Sequence, residues 1–187
     1  MDQRGLVERA GAGDHDAFAT LVRGIIARLD AAARLILRDP ELARDAVQET
    51  LVQAWRDLPG LRDPDRFDAW IHRITVRSCL TILRRRRRRV IEVELTSTVD
   101  VPVRDSGSFV VDRDQVERAL RELDPGMRAV VVAHFFLGQP LPEVAAALGI
   151  PLGTAKSRLH RSLRTMRAGL AADDQPDALE LQRGHLA

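Results

Sequence analysis

Two sets of side chains in this chain have the types and spacing for nucleic-acid chemistry. Thr154, Lys156, Ser157, His160, Arg161 and Arg164 gather, at 3.6 residues per turn, on or beside one side of a helix. Cationic and hydrogen-bonding groups at the start of a helix are what reading of base edges in a major groove needs. The second set is Arg66, Arg73, Arg77 and Arg84, at spacings of seven, four and seven, where residues 84–89 form an unbroken run of six arginines. Guanidinium forks so aligned suit a phosphate backbone. A charge run alone is often only a solvated surface, so the elements that carry these residues decide between the readings.

The first set lies in LPEVAAALGIPLGTAKSRLHRSLRTMR, residues 141–167, which reads as a helix-turn-helix. A short Ala-rich helix breaks at Gly149, the residue that most cheaply takes the left-handed conformation of a sharp helix end. Ile150 then plugs inward, and Pro151 restricts the chain before a longer second helix. On that helix Ala155, Leu159, Leu163, Met166 and Leu170 make one apolar face, opposite the cationic one. The competing reading is an ordinary amphipathic hairpin with a solvated face; turn chemistry and spacing together favour DNA.

The arginine row rides a long helix that starts around Arg66 and buries Phe67, Ile71, Ile74, Ser78 and Ile82, with Trp70 at the stripe's edge. Ahead of it, PELARDAVQETLVQAWRDL is a helix with Asp39 as N-cap, Pro40 in the first turn and Glu41 near the positive dipole end. Its predicted buried residues are Ala43, Val47, Ala54, Trp55 and Leu58, which leaves Asp45, Gln48, Glu49 and Arg56 on an outward polar face. Residues 59–65 carry Pro-Gly and Asp-Pro turn signals. Upstream, GDHDAFATLVRGIIARLDAAARLIL predicts two helices or one bent helix, with Asp14 or Asp16 as cap.

The fold class that follows is all-α, with two small helical domains. We place the first at residues 1–89, a linker at 90–111, the helix-turn-helix domain at 112–172 and a tail at 173–187. The linker is rich in Val, Thr, Ser, Asp and Pro without a sustained helical stripe. Its short alternations could form a strand, but a lone strand would have nothing to pair with. With 29 basic against 27 acidic residues the net charge is only +2, so nucleic-acid affinity must come from local clustering. The single Cys79 excludes an internal disulfide and a cysteine metal cluster. The charged amino terminus lacks a signal-peptide core, and the longest uncharged stretch, 129–142, is too short and broken to span a bilayer. A cytoplasmic protein without membrane insertion is expected.

Four segments, in order, make the chain resemble the extracytoplasmic-function sigma factors of bacterial RNA polymerase: GDHDAF, ARDAVQETLVQAW, RFDAWIHRI and LPEVAAALGIPLGTAKSRLHRSL. Together they cover roughly residues 5–170. The resemblance implies a first domain for the −10 element and a helix-turn-helix domain for the −35 element. It implies that Asp45, Gln48 and Glu49 dock on the coiled-coil clamp of the polymerase's largest subunit. The clamp and flap regions of core polymerase, promoter DNA and an anti-sigma factor are the implied partners. Residues 59–68 correspond to the loop that captures a base flipped from the −10 duplex, and Arg66, Arg73, Arg77 and Arg84 to the −10 contacts. Thr154, Lys156, Ser157, His160, Arg161 and Arg164 would read the −35 element. Acidic residues of the linker resemble a segment threaded near the polymerase cleft. Arg77 stands where relatives commonly have Asn; Arg only donates, so the family's usual −10 base preference does not transfer here. His72 and His160 are expected near DNA, and Trp70 in core packing.

An enzyme is the weakest alternative. The five histidines form no HExxH or other close ligand pair, Cys79 has no adjacent acid or histidine motif, and no Gly-rich phosphate loop follows a strand. No cofactor or metal is expected. A polymerase-independent helix-turn-helix regulator is the serious competitor, but it would not need the DAVQET face and would need a dimerisation helix. A non-DNA adaptor would be expected to lose the cationic helix face.

Overall fold

Aspartate begins four of the eight helices seen among the described residues, which in this computed structural model are 2–94 and 111–173. Asp2, Asp14, Asp39 and Asp124 each accept backbone N–H bonds from the first turn that follows. Each such cap is worth about 1 kcal/mol. The helices so started are α1 (Gln3–Gly11), α2 (His15–Leu37), α3 (Pro40–Asp57) and, in the second block, α6 (Pro125–Val131). The stretch expected as two helices or one bent helix is the single helix α2, capped by Asp14. Backbone N–H bonds from Ala17 and Asp16, with the Arg9 side chain at 2.6 Å, hold the Asp14 carboxyl below its ordinary range.

The first block closes with α4 (Phe67–Glu94), entered through two short 3-10 turns at Leu58–Gly60 and Pro64–Arg66. All five residues of the predicted stripe on α4 are buried. A further row, His72, Val76 and Leu80, is buried as well, at helical spacing. α4 extends to Glu94, five residues into the segment read as linker. Most of that segment and the tail beyond 173 lie outside the described residues.

The second block comprises α5 (Val111–Arg121), α6, α7 (Leu141–Leu148) and α8 (Leu152–Asp173). α6 runs on into a π-helical turn, Val132–Phe136, which buries Val132 and Ala133 but leaves Phe135 59% exposed. Gly149 ends α7 at φ 67°, as its place in the sequence predicts. Arg38 ends α2 in the same left-handed region, a conformation that costs a non-glycine residue energy.

One apolar cluster runs through both blocks, from Leu6 on α1 to Leu148 on α7. Leu29, Ile36, Ile71 and Val144 lie fully buried within it. Burial of a Leu or Ile is worth about 1.5–3 kcal/mol, so Leu29→Ala, which also leaves a cavity, would cost about 2–5 kcal/mol. Arg128 of α6 crosses the seam: its guanidinium donates to the Ile36 carbonyl at 2.9 Å and to the Leu123 carbonyl at 3.3 Å. That satisfies a carbonyl at the end of α2, where no helical N–H is available. Burial and the neighbouring Arg38 charge push the Arg128 pKa down to about 10, against the opposing Asp124.

Candidate nucleic-acid interface

The turn between α7 and α8 sets the aim of α8. With Gly149 in the left-handed region, Ile150 donates back to the Ala145 carbonyl at 3.1 Å and packs half-buried on the core. Ala155 is fully buried and Leu159, Leu163 and Met166 half-buried on the inward side of α8. Lys156, Ser157, His160, Arg161 and Arg164 are all exposed, and Thr154 is half-buried beside them. The Ser157 hydroxyl donates to the Thr154 carbonyl at 3.0 Å, which leaves its oxygen available as an acceptor. An N-terminal dipole end with three cations, an imidazole and a hydroxyl on one open side can contact both phosphates and base edges. Arg158, on the same helix, is turned inward over Gly126 at the start of α6 and is structural.

The arginine row of α4 is placed differently. Arg66, Arg77 and Arg84 are exposed and Arg73 is half-buried. Arg66 forms an ion pair with Glu143 of α7, and Arg77 donates to the Ala146 carbonyl of α7 at 3.3 Å. Arg66, Arg73 and Glu143 also line a cleft of about 540 Å³ with Gly60, Leu61 and Trp70, so the loop expected to capture a base borders a real cavity. Trp70 is half-buried against Phe67, in keeping with core packing.

On α3, Asp45, Gln48 and Glu49 are exposed together on one side. Glu49 is held by Arg85 of the arginine run at 3.0 Å, and Asp39 lies 3.7 Å from Arg86. Trp55 on the same helix departs from the expected burial. It is half-buried, with His15 stacked on it at 4.4 Å and Phe18 edge-on at 5.0 Å, because α1, α2 and the 3-10 turns cover only part of that side.

His72 also departs from expectation. It is 5% exposed, and α4 turns it into the seam with the second block rather than toward solvent. Its Nε2 and the Oε1 of Gln139 are buried without a hydrogen-bond partner in the protein, while Gln139 Nε2 donates to the Ala69 carbonyl one turn before His72. Burial, then the charge of Arg28 on α2, push the His72 pKa down to about 4, with Asp68 opposing. Val76 and Leu80, four and eight positions on, were the local signal for this burial, while the residues that cover the row are distant in sequence. Cys79 is fully buried and its thiol pushed up to about 12, which removes it as a nucleophile at neutral pH. No group of residues able to hold a metal is found among the described residues.

A second apolar surface lies where the inward side of α8 meets α5, the π-helical turn and α2. Leu35 of α2 and Val116, Leu120, Phe135, Leu163 and Met166 border an open groove of about 500 Å³. No helix among the described residues is long and apolar enough to cross a membrane.

Comparison with known proteins agrees with this arrangement. Residues 16–89 match the family described as Sigma-70 region 2 and residues 113–166 that described as Sigma-70, region 4. The chain is 37% identical over 153 residues to the ECF RNA polymerase sigma factor SigM of Mycobacterium tuberculosis, covering 81% of this chain and 76% of that one. It is 32% identical over 151 residues to the RNA polymerase sigma-E factor of Streptomyces coelicolor, covering 81% and 84%. Among solved structures, CnrH in complex with the cytosolic domain of CnrY superposes with a TM-score of 0.64 at 31% identity, over 92% of this chain and 99% of that one. The RpoE structure from Bartonella quintana, at a TM-score of 0.66 and 23% identity over 84% and 98% of the chains, shares the fold. With a helix-turn-helix, an arginine-lined helix and both sigma regions in order, the chain belongs to the extracytoplasmic-function sigma factors of bacterial RNA polymerase.

Proposed function

We propose that this sigma factor, regulatory rather than catalytic and acting in the cytoplasm, divides its work between three surfaces. The exposed face of α8 reads the −35 element, with Lys156, Ser157 and Arg161 toward the bases and Arg164 toward phosphate. The arginine row of α4 and the cleft beside it take the −10 strand. A base leaving the stack costs a few kcal/mol, and a cleft bordered by Arg66, Arg73 and Trp70 offers cationic and aromatic contacts to offset it. Asp45, Gln48 and Glu49 anchor the chain on the clamp of core polymerase. The groove beside α8 suits the flap, since an amphipathic helix can lay its apolar side there. Control by an anti-sigma factor is part of this reading, supported by the likeness to CnrH, which was solved in complex with a partner protein. The division into domains at 1–89 and 112–172 rests on the composition of the segment between them, and first cleavage by a protease is expected inside that segment.

The observation that carries the reading is the open cationic side of α8 in a chain whose α3 exposes Asp45, Gln48 and Glu49 together on one side. Reconstitution with bacterial core polymerase, followed by sequencing of transcripts from a genomic DNA pool, tests it. Transcripts that share −10 and −35 sequences upstream of their starts are expected; core polymerase that gains no start-site preference refutes the assignment. Asp45→Arg is the cleaner test of the anchor, because Glu49→Arg also breaks the Arg85 ion pair. Asp45→Arg should weaken holoenzyme formation and leave the circular dichroism spectrum unchanged.

A further inference from the structure

We propose that Arg85 belongs to the polymerase-docking surface as an internal competitor, holding Glu49 in the free chain and so setting how tightly the chain docks on core polymerase. The inference rests on the reading that Asp45, Gln48 and Glu49 meet the clamp. The run of six arginines is not used evenly. Successive residues of a helix point about 100° apart, so six in a row face every direction. Arg85 and Arg86 are turned toward α3: Arg85 donates to the Glu49 carboxylate at 3.0 Å, and Arg86 lies 3.7 Å from that of Asp39. Arg84, Arg87 and Arg88 lie exposed on another arc of the helix.

The two contacts differ in consequence. Asp39 is the N-cap of α3, where its Oδ1 accepts from the Glu41 and Leu42 backbone, so Arg86 braces the start of the helix. Glu49 caps nothing; it lies in the middle of α3, on the docking side. Asp45 stands one turn before it on that side and forms no ion pair among the described residues. Polymerase therefore meets one acid that is open and one that already has a guanidinium. A clamp group that uses the Glu49 carboxylate must displace Arg85 from it. The Arg85 side chain is 64% exposed and that of Glu49 44% exposed, which makes the pair weak and exchangeable, a competitor rather than a lock. Packing of α4 on α3 within the first block keeps Arg85 within reach of Glu49.

The test uses the full chain with an amino-terminal fluorescein, titrated with bacterial core polymerase and followed by anisotropy at low salt, where surface charges are least screened. Arg85→Gln releases Glu49, and affinity for core is expected to rise about 1.5- to five-fold, the range of one exposed ion pair. Arg87→Gln makes the same change in net charge on the open arc and should give no such rise. In a Glu49→Gln background the gain from Arg85→Gln should vanish. Circular dichroism spectra should coincide throughout, so that the gain is read as docking and not as a change of fold. Equal gains from Arg85→Gln and Arg87→Gln, a loss or no gain from Arg85→Gln, or a gain that persists without Glu49 each overturn the competitor. Glu49→Gln alone should weaken docking. If it leaves affinity for core unchanged, the failure lies in the assignment of Glu49 to the clamp, and the proposal falls with it.

Discussion

The polar side of α8 holds Lys156, Ser157, His160, Arg161 and Arg164 in the open, whereas two of the four arginines in the row along α4 and the 3-10 turn before it are engaged by α7. The same residue type is thus presented in two states. α8 is the last helix of its block and packs by one side only, so its cations keep their freedom. α4 packs against α3 and α2 of its own block and against α6 and α7 of the second. Its arginines border that second contact. Availability for DNA, on this comparison, is a property of what the opposite side of the helix is packed against rather than of the charge itself.

The largest effect should come from breaking the seam. Arg128→Met removes the buried donor to the Ile36 and Leu123 carbonyls and should cost about 2–4 kcal/mol, measured by urea denaturation. Small-angle scattering should then report a larger radius of gyration, and single-strand affinity should rise as the α4 row is uncovered. No expansion would mean that the seam is held without this arginine and would erase the contrast between the two helices.

On the open side, Arg161→Ala in holoenzyme should cost about 1–3 kcal/mol on a matched promoter and relax preference at one −35 base pair. Arg164→Ala should weaken all promoters alike and lower the salt dependence. Equal loss on every −35 variant from Arg161→Ala would make it a phosphate contact. Neither substitution should alter single-strand binding at α4.

The seam should also respond to acid. His72 is depressed from 6.5 to about 4 when covered, so its contribution to the packing is complete above pH 6.5 and is lost as pH falls toward 4. Between about pH 6.5 and about pH 5 the loss should be on the order of 1–2 kcal/mol. Arg28 of α2 and Asp68 of α4 are the charges that act on it. Scattering across this range should show expansion in the parent protein and a flatter response in His72→Leu. The same slope in both would assign the acid response to other groups.

The smallest change is expected at Gly126→Ala. A Cβ there would meet Arg158 Nη1 at 2.9 Å, the far end of a flexible side chain, so stability should move by about 0.5 kcal/mol or less in a thermal melt. Any effect on DNA should fall on the −35 side, through displacement of Arg158.

Legibility in the sequence followed the range of the interactions involved. The caps at Asp14 and Asp39, the break at Gly149, the inward row of α8 and the buried row from Phe67 to Ile82 are set by neighbours three or four positions away, and periodicity displays them. The exposed trio on α3 was readable for the same reason. Trp55 was misplaced because an aromatic on the apolar side of a helix is expected inside, while here the neighbouring helices stop short of covering it and His15 stacks on it instead. The left-handed Arg38 and the π-helical turn carry no glycine or proline to announce them.

The sequence by itself determined the helices, their caps and faces, and the chemistry of the residues proposed to meet DNA and polymerase. Only the tertiary structure decided which charges lie beside His72, that Arg128 seals the end of α2, and that Glu143 and Ala146 take hold of Arg66 and Arg77. A helix face is encoded within a few turns of chain, whereas the docking of one face on another depends on shapes and charges far apart in the sequence. Local periodicity therefore names the arginines able to bind a phosphate, and only the packing of the two blocks shows which of them already have a partner.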